Sequence, residues 1–289
     1  MCAAWLYRPP AHPESSTPIV VMAHGLSGTR RDRLGAFAER FAQAGFAALI
    51  FDHRGFGDSE GEPDRFVPAR QREDWSAAIE FAREVDGIDA KRVATFGSSM
   101  GGGNALAAAA ADPCVAAAIS QVPFLDLRRQ AHRNSMRVNL KIFASALLGR
   151  HLPAVGQPNE AAFINAPGSE AGWRHVVSIG EDSRWRDRVS SRWLLGRPFN
   201  PGRLASELHC PWLVCVGDAD RVARPGPAIK AARRAPQGEL RVYPGVDHFD
   251  IYDGPEHEAI VSDEIEFLRR HLLKSTKTRL TEAAQPAPQ

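Results

Sequence analysis

Short apolar runs alternate with helix-like segments along most of this chain. The apolar runs predict strands at residues 19–23, 47–52, 92–96, 116–122, 212–216 and 240–243. The segments between and after them predict helices at residues 31–43, 70–84, 101–111, 225–234 and 255–273. The strand runs lack a clean apolar-polar alternation, which is typical of strands buried on both faces. Strands that alternate with helices predict right-handed βαβ crossovers, and therefore a mostly parallel sheet with helices on both sides.

One long segment interrupts this alternation. Between residues 124 and 208 no run of comparable strand character occurs, and a helical apolar spacing followed by Gly- and Pro-rich sequence takes its place. An insertion of this length between two core strands is typical of a lid or cap. We therefore predict an α/β core at residues 1–124 and 209–273, a helical lid at residues 125–208, and a disordered polar tail at residues 274–289.

The first residues, CAAWLYRP, resemble the end of a strand with no room for a strand pair before it. This favours a natural start upstream of Met1 over a sheet that lacks its first strand. The same stretch has neither a basic beginning nor a long apolar core, so it does not predict a secretory signal.

Composition and charge narrow the function classes. The chain has 289 residues, 44% of them hydrophobic, and a formal net charge of +2, so nothing favours a nucleic-acid partner. No segment reaches the roughly 18 apolar residues of a membrane helix. We therefore expect a cytoplasmic protein with neither a nucleic-acid nor a membrane partner, and a homodimer stays open. The cysteines show no zinc or redox spacing, and we expect Cys210 and Cys215 to be small buried hydrophobes.

The turn GSSMGGG, between a predicted strand and a predicted helix, carries the strongest chemical signal. A phosphate-binding loop would need a lysine and a hydroxyl where Gly103 and Asn104 stand. The pattern G-x-S-x-G, centred on Ser99, instead predicts a nucleophile elbow, in which one strained residue presents its hydroxyl above the sheet. Ser98 is then a small residue beside the turn.

A serine hydroxyl needs a base to accept its proton and a third group to orient that base. The strand PWLVCVGDADRV ends in Asp218 and Asp220, and the last predicted strand is followed by His248. This is the order of nucleophile, acid and base that the elbow predicts. The residues themselves leave the acid open between Asp218 and Asp220. The amide of Met100, next after the nucleophile, is a predicted donor to the oxyanion of the tetrahedral intermediate.

Taken together, these pieces resemble the α/β-hydrolase superfamily over nearly the whole chain. The matching motifs are HGLSG, FDHRGFGDSEG, GSSMGG, VGDADRV and DHFDIY. Among members, the chain is similar to bacterial dienelactone hydrolase-like and X-Pro-peptidase-like hydrolases, through HFDIY and NAPGSEAGW. It departs from true dienelactone hydrolases, whose nucleophile is a cysteine where this chain has Ser99.

The resemblance implies an α/β-hydrolase fold and assigns the remaining site residues. Asp220 matches the acid of the family's G-x-x-D position, which leaves Asp218 to cap the following turn. His248 has the family's His-Phe context. The turn His24-Gly25 implies that the Leu26 amide is the second oxyanion donor, with His24 itself structural.

The resemblance also marks the motif FDHRGFGDSEG as a structural turn. We expect Asp52 and Arg54 to form an internal ion pair there, close to the site. For His257 and His271, within and at the end of the last helix, exposed or capping roles are expected.

The predicted lid is rich in arginine and tryptophan. Its three indoles, Trp173, Trp185 and Trp193, either wall a substrate pocket or pack the core of the lid. The arginines favour a solvated basic face over an anionic substrate: Arg128, Arg129, Arg133, Arg137, Arg184, Arg186, Arg188 and Arg192.

The sequence thus predicts a serine hydrolase that cleaves a small-molecule carboxylic ester through an acyl-enzyme, with no metal and no organic cofactor. Two alternatives share the same triad, a peptidase or amidase and a cofactor-free perhydrolase. A ligand-binding pseudoenzyme is disfavoured because all three triad members are present. The natural substrate stays open.

Overall fold

A mixed sheet forms the centre of the computed structural model, which describes residues 1–10, 16–130 and 134–273. The predicted tail, residues 274–289, lies outside the described residues. In chain order the strands are β1 (Ala4–Tyr7), β2 (Thr17–Ala23), β3 (Ala47–Phe51), β4 (Ile88–Ser98), β5 (Ala117–Gln121), β6 (His151–Leu152), β7 (Val189–Ser190), β8 (Trp212–Gly217) and β9 (Gly238–Tyr243).

Within these ranges, the main sheet has seven strands in the order β1-β3-β2-β4-β5-β8-β9. All neighbours pair in parallel except β1, which runs antiparallel to β3 and places Ala4 opposite Phe51. The strand-like N-terminus is therefore an edge strand of the sheet. The two-residue strands β6 and β7 form a separate antiparallel pair.

Helices cover both faces of the sheet. They are α1 (Leu34–Gln43), α2 (Pro68–Glu84), α3 (Met100–Ala111), α4 (Leu127–Gln130), α5 (Met136–Leu147), α6 (Ser169–Ser178), α7 (Pro225–Ala232) and α8 (Gly254–Leu272). The apolar side chains of α1 and α8 pack on one face, and those of α2, α3 and α7 on the other. This arrangement confirms the predicted α/β-hydrolase fold. No described helix is long and apolar enough to cross a membrane.

The central strands are buried on both faces, as their lack of alternation predicts. All seven residues of β2 are buried. Val20 and Met22 lie in the core beneath α1 and α8, while Ile19 and Val21 lie in the core beneath α2 and α3. Each such side chain contributes about 1.5–3 kcal/mol by leaving water, so β2, β3 and β4 form a rigid base for the loops at their carboxyl ends.

The first helix begins later than its pattern predicts. Residues 31–33 form a turn, in which the Asp32 carboxylate accepts hydrogen bonds from the Thr29 N–H and hydroxyl, at 2.7 and 2.9 Å. Arg33 then takes a left-handed conformation, with φ of 69°. The helix therefore starts at Leu34 instead of Arg31.

The segment between residues 125 and 208, which we call the inserted segment, lies between β5 and β8. It contains α4, α5, α6 and the β6–β7 pair, together with 3₁₀ helices at Arg192–Leu195 and Pro201–Glu207. It has no strand of core length in its described residues, as predicted.

Three arginines of the inserted segment bind carboxylates of the core. Arg184 lies 3.1 Å from an oxygen of Asp58, and Arg186 and Arg188 lie 2.9 and 3.1 Å from the two oxygens of Asp64. All three side chains are more than half exposed, so they lie on a solvated face and also pair with carboxylates of the core. Arg133 lies outside the described residues.

Candidate active site

The elbow at the end of β4 has the geometry that its glycines predict. Ser99 stands between β4 and α3 in a strained conformation with a positive φ, at φ of 56° and ψ of −123°. A Cβ on Gly97 would overlap the Gly101 carbonyl oxygen, and a Cβ on Gly101 would come within 2.6 Å of the His24 carbonyl oxygen. Only glycine allows the helix to approach both strands so closely. The strained turn therefore holds the Ser99 side chain clear of the sheet.

The structure brings the three predicted triad residues together from three loops. The Ser99 hydroxyl donates to His248 Nε2 at 3.1 Å, and His248 Nδ1–H donates to Asp220 Oδ2 at 2.7 Å. All three side chains are buried, with at most 7% of each residue exposed. This is the constellation in which an imidazole can remove the hydroxyl proton while a carboxylate orients the ring.

Backbone amides hold the Asp220 carboxylate in place. Its Oδ1 accepts from the N–H groups of Val222 and Ala223, at 2.8 and 2.7 Å, which leaves Oδ2 to His248. Asp218 instead accepts from the Gly245 N–H at 2.7 Å, across to the loop after β9. The geometry therefore places Asp220, and not Asp218, beside the imidazole.

The two predicted oxyanion donors lie on either side of Ser99. Leu26, Ser99 and Met100 all line one pocket. A Cβ on Gly25 would lie 3.1 Å from Ser99 Cβ, so the loop after β2 packs directly against the elbow. Among the residues that the structure describes, none accepts a hydrogen bond from the Leu26 or the Met100 N–H. Both donors are therefore available to a developing oxyanion.

His24 has a structural role, because its ring holds the loop that carries Leu26 through two hydrogen bonds. Its Nδ1–H donates to the Gly25 carbonyl at 2.8 Å, and its Nε2 accepts from the His53 N–H at 3.2 Å. Burial, reinforced by the neighbouring His53 ring, lowers the pKa of His24 to about 3. His24 is therefore neutral near pH 7, and its hydrogen bonds keep one tautomer.

The predicted ion pair between Asp52 and Arg54 is wrong. Asp52 pairs instead with the buried guanidinium of Arg30 and accepts from the Arg30 N–H at 2.6 Å. Arg54 turns the other way and donates to Asp74 Oδ1 at 2.5 Å. Ion pairs form between loops that the fold brings together, so neighbours in sequence are poor guides to them. The Asp52 pair fastens the loop after β3 to the loop that carries Leu26.

His257 also departs from its expectation. It is 5% exposed and lies inside the core, where Nδ1–H donates to the Ile251 carbonyl at 3.0 Å. Its ring packs edge-on against Phe37 of α1, with 4.5 Å between the ring centroids. The helical face that carries His257 is therefore the buried one, because α1 lies against α8 there.

A small apolar pocket opens beside Ser99. Its volume is about 40 Å³, which is room for about three water molecules. Most of its wall comes from the inserted segment and the loop before it, and only Ser99 and Asn165 are polar: Leu26, Ser99, Met100, Phe124, Leu127, Phe163, Ile164, Asn165, Ala166, Trp193 and Val222. Asn165 is held in place, since its amide donates to Asn134 Oδ1 at 2.7 Å and to the Glu160 carbonyl at 2.9 Å.

The three indoles of the inserted segment divide between the two roles left open by the sequence. Trp193 lines the pocket and stacks on Phe163. Trp173 is buried and packs edge-on against Trp185, with 5.9 Å between the centroids. The pocket residues Phe163, Ile164 and Asn165 escaped sequence reasoning. The phrase NAPGSEAGW begins at Asn165 and was the one signal that could have located them.

Comparison with known proteins agrees with this fold. Residues 14–253 match the family described as serine aminopeptidase, S33. The chain therefore belongs to this family of α/β hydrolases. The specific likeness to dienelactone hydrolases has no support from these matches.

Two relatives and one solved structure illustrate the range of the matches. The chain is 42% identical to the quorum-quenching protein AidA of Acinetobacter baumannii, over 93% of this chain and 91% of the relative. It is 27% identical to the polyketide transferase af380 of Aspergillus fumigatus, over 88% of this chain and 90% of the relative. The crystal structure of α/β hydrolase GrgF from Penicillium sp. sh18 superposes with a TM-score of 0.74 at 22% identity, covering 95% of this chain and all of that one.

Proposed function

We propose that this protein is a serine hydrolase that cleaves carboxylic esters through an acyl-enzyme. The observation that carries the proposal is the unbroken chain of hydrogen bonds from the Ser99 hydroxyl through His248 to Asp220. The membership of the chain in a hydrolase family supports it.

The reaction has two steps. Ser99 Oγ attacks the ester carbonyl carbon while His248 Nε2 takes the hydroxyl proton, and the amides of Leu26 and Met100 hold the oxyanion. His248 returns that proton to the departing alkoxide, which leaves an acyl group on Ser99. His248 then takes a proton from a water, the hydroxide attacks the acyl carbon, and collapse of the intermediate returns the proton to Ser99 Oγ.

The lining of the pocket favours an ester over a peptide with a free amino terminus. An aminopeptidase must bind the ammonium group of its substrate, and a buried ammonium requires an anionic partner. No carboxylate lies among the residues that line the pocket in the described part of the chain. A neutral acyl group fits this environment better. Its size is limited, because about 40 Å³ accommodates only a few carbon atoms without movement of the inserted segment, which we propose acts as a lid.

Labelling with a fluorophosphonate probe tests the nucleophile. We expect the wild type to be labelled and Ser99→Ala to be inert. Ser98→Ala is the matched control, because Ser98 is the adjacent serine and its hydroxyl bonds Tyr252 at 2.7 Å instead of the imidazole. Equal labelling of Ser99→Ala and the wild type would overturn the proposal. Hydrolysis of matched p-nitrophenyl ester and p-nitroanilide substrates then separates an esterase from an amidase.

A further inference from the structure

A second, larger cavity lies next to the catalytic pocket. This cleft has a volume of about 860 Å³, which is the size of sites that bind drug-sized or nucleotide-sized ligands. It runs between the start of α2, the outer side of α3, the start of α4 and the loop that joins the two 3₁₀ helices of the inserted segment. Nothing in the proposed reaction with a small ester requires a cavity of this size.

The walls of the cleft are strongly cationic. Four arginines line it, namely Arg72, Arg128, Arg197 and Arg203, against the single carboxylate of Asp126. That carboxylate is already engaged, since it accepts from the Arg128 backbone N–H at 3.0 Å and lies 3.6 Å from the Arg129 guanidinium.

The guanidiniums of the cleft lack carboxylate partners in the described part of the chain, and that of Arg72 donates only to the Pro68 carbonyl, at 3.3 Å. In the ranges that the structure describes, Arg72, Arg128, Arg197 and Arg203 have no carboxylate within ion-pair distance. Elsewhere in the inserted segment, Arg184, Arg186 and Arg188 are all paired with core carboxylates. A cleft lined by charges of one sign concentrates its field and attracts ligands of the opposite sign. All four arginines are exposed, so their guanidiniums are open to an anionic ligand that enters the cleft.

The cleft and the pocket beside Ser99 share one lining residue among those that the structure describes. Trp193 lines both cavities. Its ring stacks on Phe163 with 5.7 Å between centroids and an interplanar angle of 16°, and it lies against Phe66 at 4.7 Å. A molecule bound in the cleft can therefore contact the same indole that lines the cavity containing Ser99.

We propose that the cleft binds the leaving group of the acyl donor, and that this leaving group carries phosphate groups. The proposal rests on the proposed function, because it places the acyl group in the pocket at Ser99. A guanidinium group can donate two parallel, short, charge-assisted hydrogen bonds to two oxygens of one phosphate. Four of them around one cleft match a ligand with several negative charges better than a single carboxylate. The donor is accordingly an acyl ester or thioester of a phosphorylated alcohol or thiol.

The chemistry at Ser99 is unchanged by such a donor. The bond from the acyl carbon to the leaving oxygen or sulfur breaks, and His248 returns the proton taken from Ser99 to that atom. The free alcohol or thiol departs with its phosphates, and water hydrolyses the acyl-enzyme. No oxidant, reductant or further reactant is needed.

A pair of thioesters tests the proposal. Acetyl-coenzyme A carries phosphates on its leaving thiol, whereas S-acetyl-N-acetylcysteamine keeps only the uncharged end of the same thiol. We expect kcat/KM of the wild type to be at least about tenfold higher for the phosphorylated donor, since hydrogen bonds between charged partners are worth about that factor or more. We expect this preference to fall as NaCl is added.

The double variant Arg128→Gln/Arg197→Gln should lose the preference and keep its rate on the uncharged thioester. The matched control is Arg137→Gln/Lys141→Gln, which removes the same charge from exposed positions on α5 that do not line the cleft. Coenzyme A alone should inhibit hydrolysis of p-nitrophenyl acetate by the wild type, and should inhibit the cleft variant at least about tenfold more weakly.

Three results would overturn the proposal: an equal kcat/KM for the two thioesters, an equal loss in the control variant, or inhibition by inorganic phosphate but not by coenzyme A. These results differ from failure of the proposed function. If p-nitrophenyl acetate hydrolysis depends on Ser99 while the thioester preference is absent, only the assignment of the cleft is wrong. If Ser99→Ala keeps full activity on p-nitrophenyl acetate, the proposed function itself is wrong.

Discussion

The indole N–H of Trp185 donates a hydrogen bond to the Ser27 hydroxyl at 3.0 Å. Ser27 follows Leu26, the predicted oxyanion donor, and its own φ is 57°. The residues around Trp185 are also bound to this loop, since the Ser183 hydroxyl donates to Asp32 and the Glu181 N–H donates to the Arg31 carbonyl at 2.9 Å. The inserted segment therefore helps to position the loop that carries Leu26.

Removing the Trp185 hydrogen bond should slow turnover without weakening substrate binding. Trp185→Phe loses one neutral hydrogen bond, worth about 1 kcal/mol, so we expect kcat for p-nitrophenyl acetate to fall about fivefold with little change in KM. Trp173→Phe is the matched control, because the Trp173 indole N–H is buried without a hydrogen-bond partner in the described part of the chain. An equal fall in kcat in both variants would show that packing, and not the hydrogen bond, matters.

The acid of the triad can be distinguished from its neighbour by paired substitutions. Asp220→Asn cannot hold the imidazole in the required tautomer, so we expect kcat to fall by roughly 10³–10⁴-fold while the fold persists. Asp218→Asn keeps an oxygen that accepts from the Gly245 N–H and loses only the negative charge that strengthens this bond. That variant should keep its activity within a few-fold of the wild type and lose about 1 kcal/mol of unfolding free energy. Both are measured by steady-state kinetics and urea unfolding, and a large loss of kcat in Asp218→Asn would contradict the assignment.

The small apolar pocket beside Ser99 predicts a preference for esters with short acyl chains. A p-nitrophenyl ester series should show the highest kcat/KM for acetyl to butyryl groups and a decline beyond them, because the cavity holds only about 40 Å³. Trp193→Ala removes the wall shared with the larger cleft, and should raise the octanoyl-to-acetyl ratio of kcat/KM at least about tenfold, because a longer acyl chain can occupy the space that the indole leaves beside Phe66 and Phe163. Leu195→Ala, at a 43% exposed position of the same 3₁₀ helix, serves as the control. An unchanged ratio in Trp193→Ala would refute the role of this wall.

Neutral His24 makes the protein sensitive to acid. Its folded pKa of about 3 lies below the unfolded value of 6.5. Between these two pH values the unfolded chain binds a proton that the folded chain does not, so stability falls as the pH drops through this window. One such group contributes a slope of up to about 1.4 kcal/mol per pH unit.

Urea unfolding of the wild type and of His24→Asn at pH 7, 6, 5 and 4 measures this contribution. We expect the variant to be less stable at pH 7 and to have the shallower dependence on pH, because it lacks the titrating ring. If the unfolding free energies of His24→Asn and the wild type changed in parallel with pH, the lowered pKa of His24 would be contradicted.

The features that sequence predicted well are those encoded by neighbouring residues. Gly97 and Gly101 define the elbow because close approach of strand and helix excludes any Cβ, and that requirement is visible in a five-residue pattern. Strands buried on both faces likewise show themselves as unbroken apolar runs. Asp220 and His248 follow strands whose order the fold dictates, so their meeting at Ser99 could be anticipated.

The features that sequence missed depend on which surfaces meet. Arg30, and not Arg54, neutralises Asp52, because the loops after β2 and β3 adjoin at the carboxyl edge of the sheet. His257 is buried because α1 happens to lie against that turn of α8. Phe163 and Asn165 line the pocket through the path of the inserted segment, which follows no periodic pattern.

The attachment of residues 181–188 to the core has a consequence for how such enzymes diversify. The inserted segment supplies most of the pocket wall, and through Trp185, Ser183 and Arg184 it also holds the loop that carries Leu26. A substitution in the inserted segment that changes substrate preference is therefore expected to change the reaction rate as well. A chimera that received the inserted segment of a relative would also receive different contacts to the loop that carries Leu26. It would be active only if Ser27, Asp32 and Asp58 could bind the residues that replace Trp185, Ser183 and Arg184.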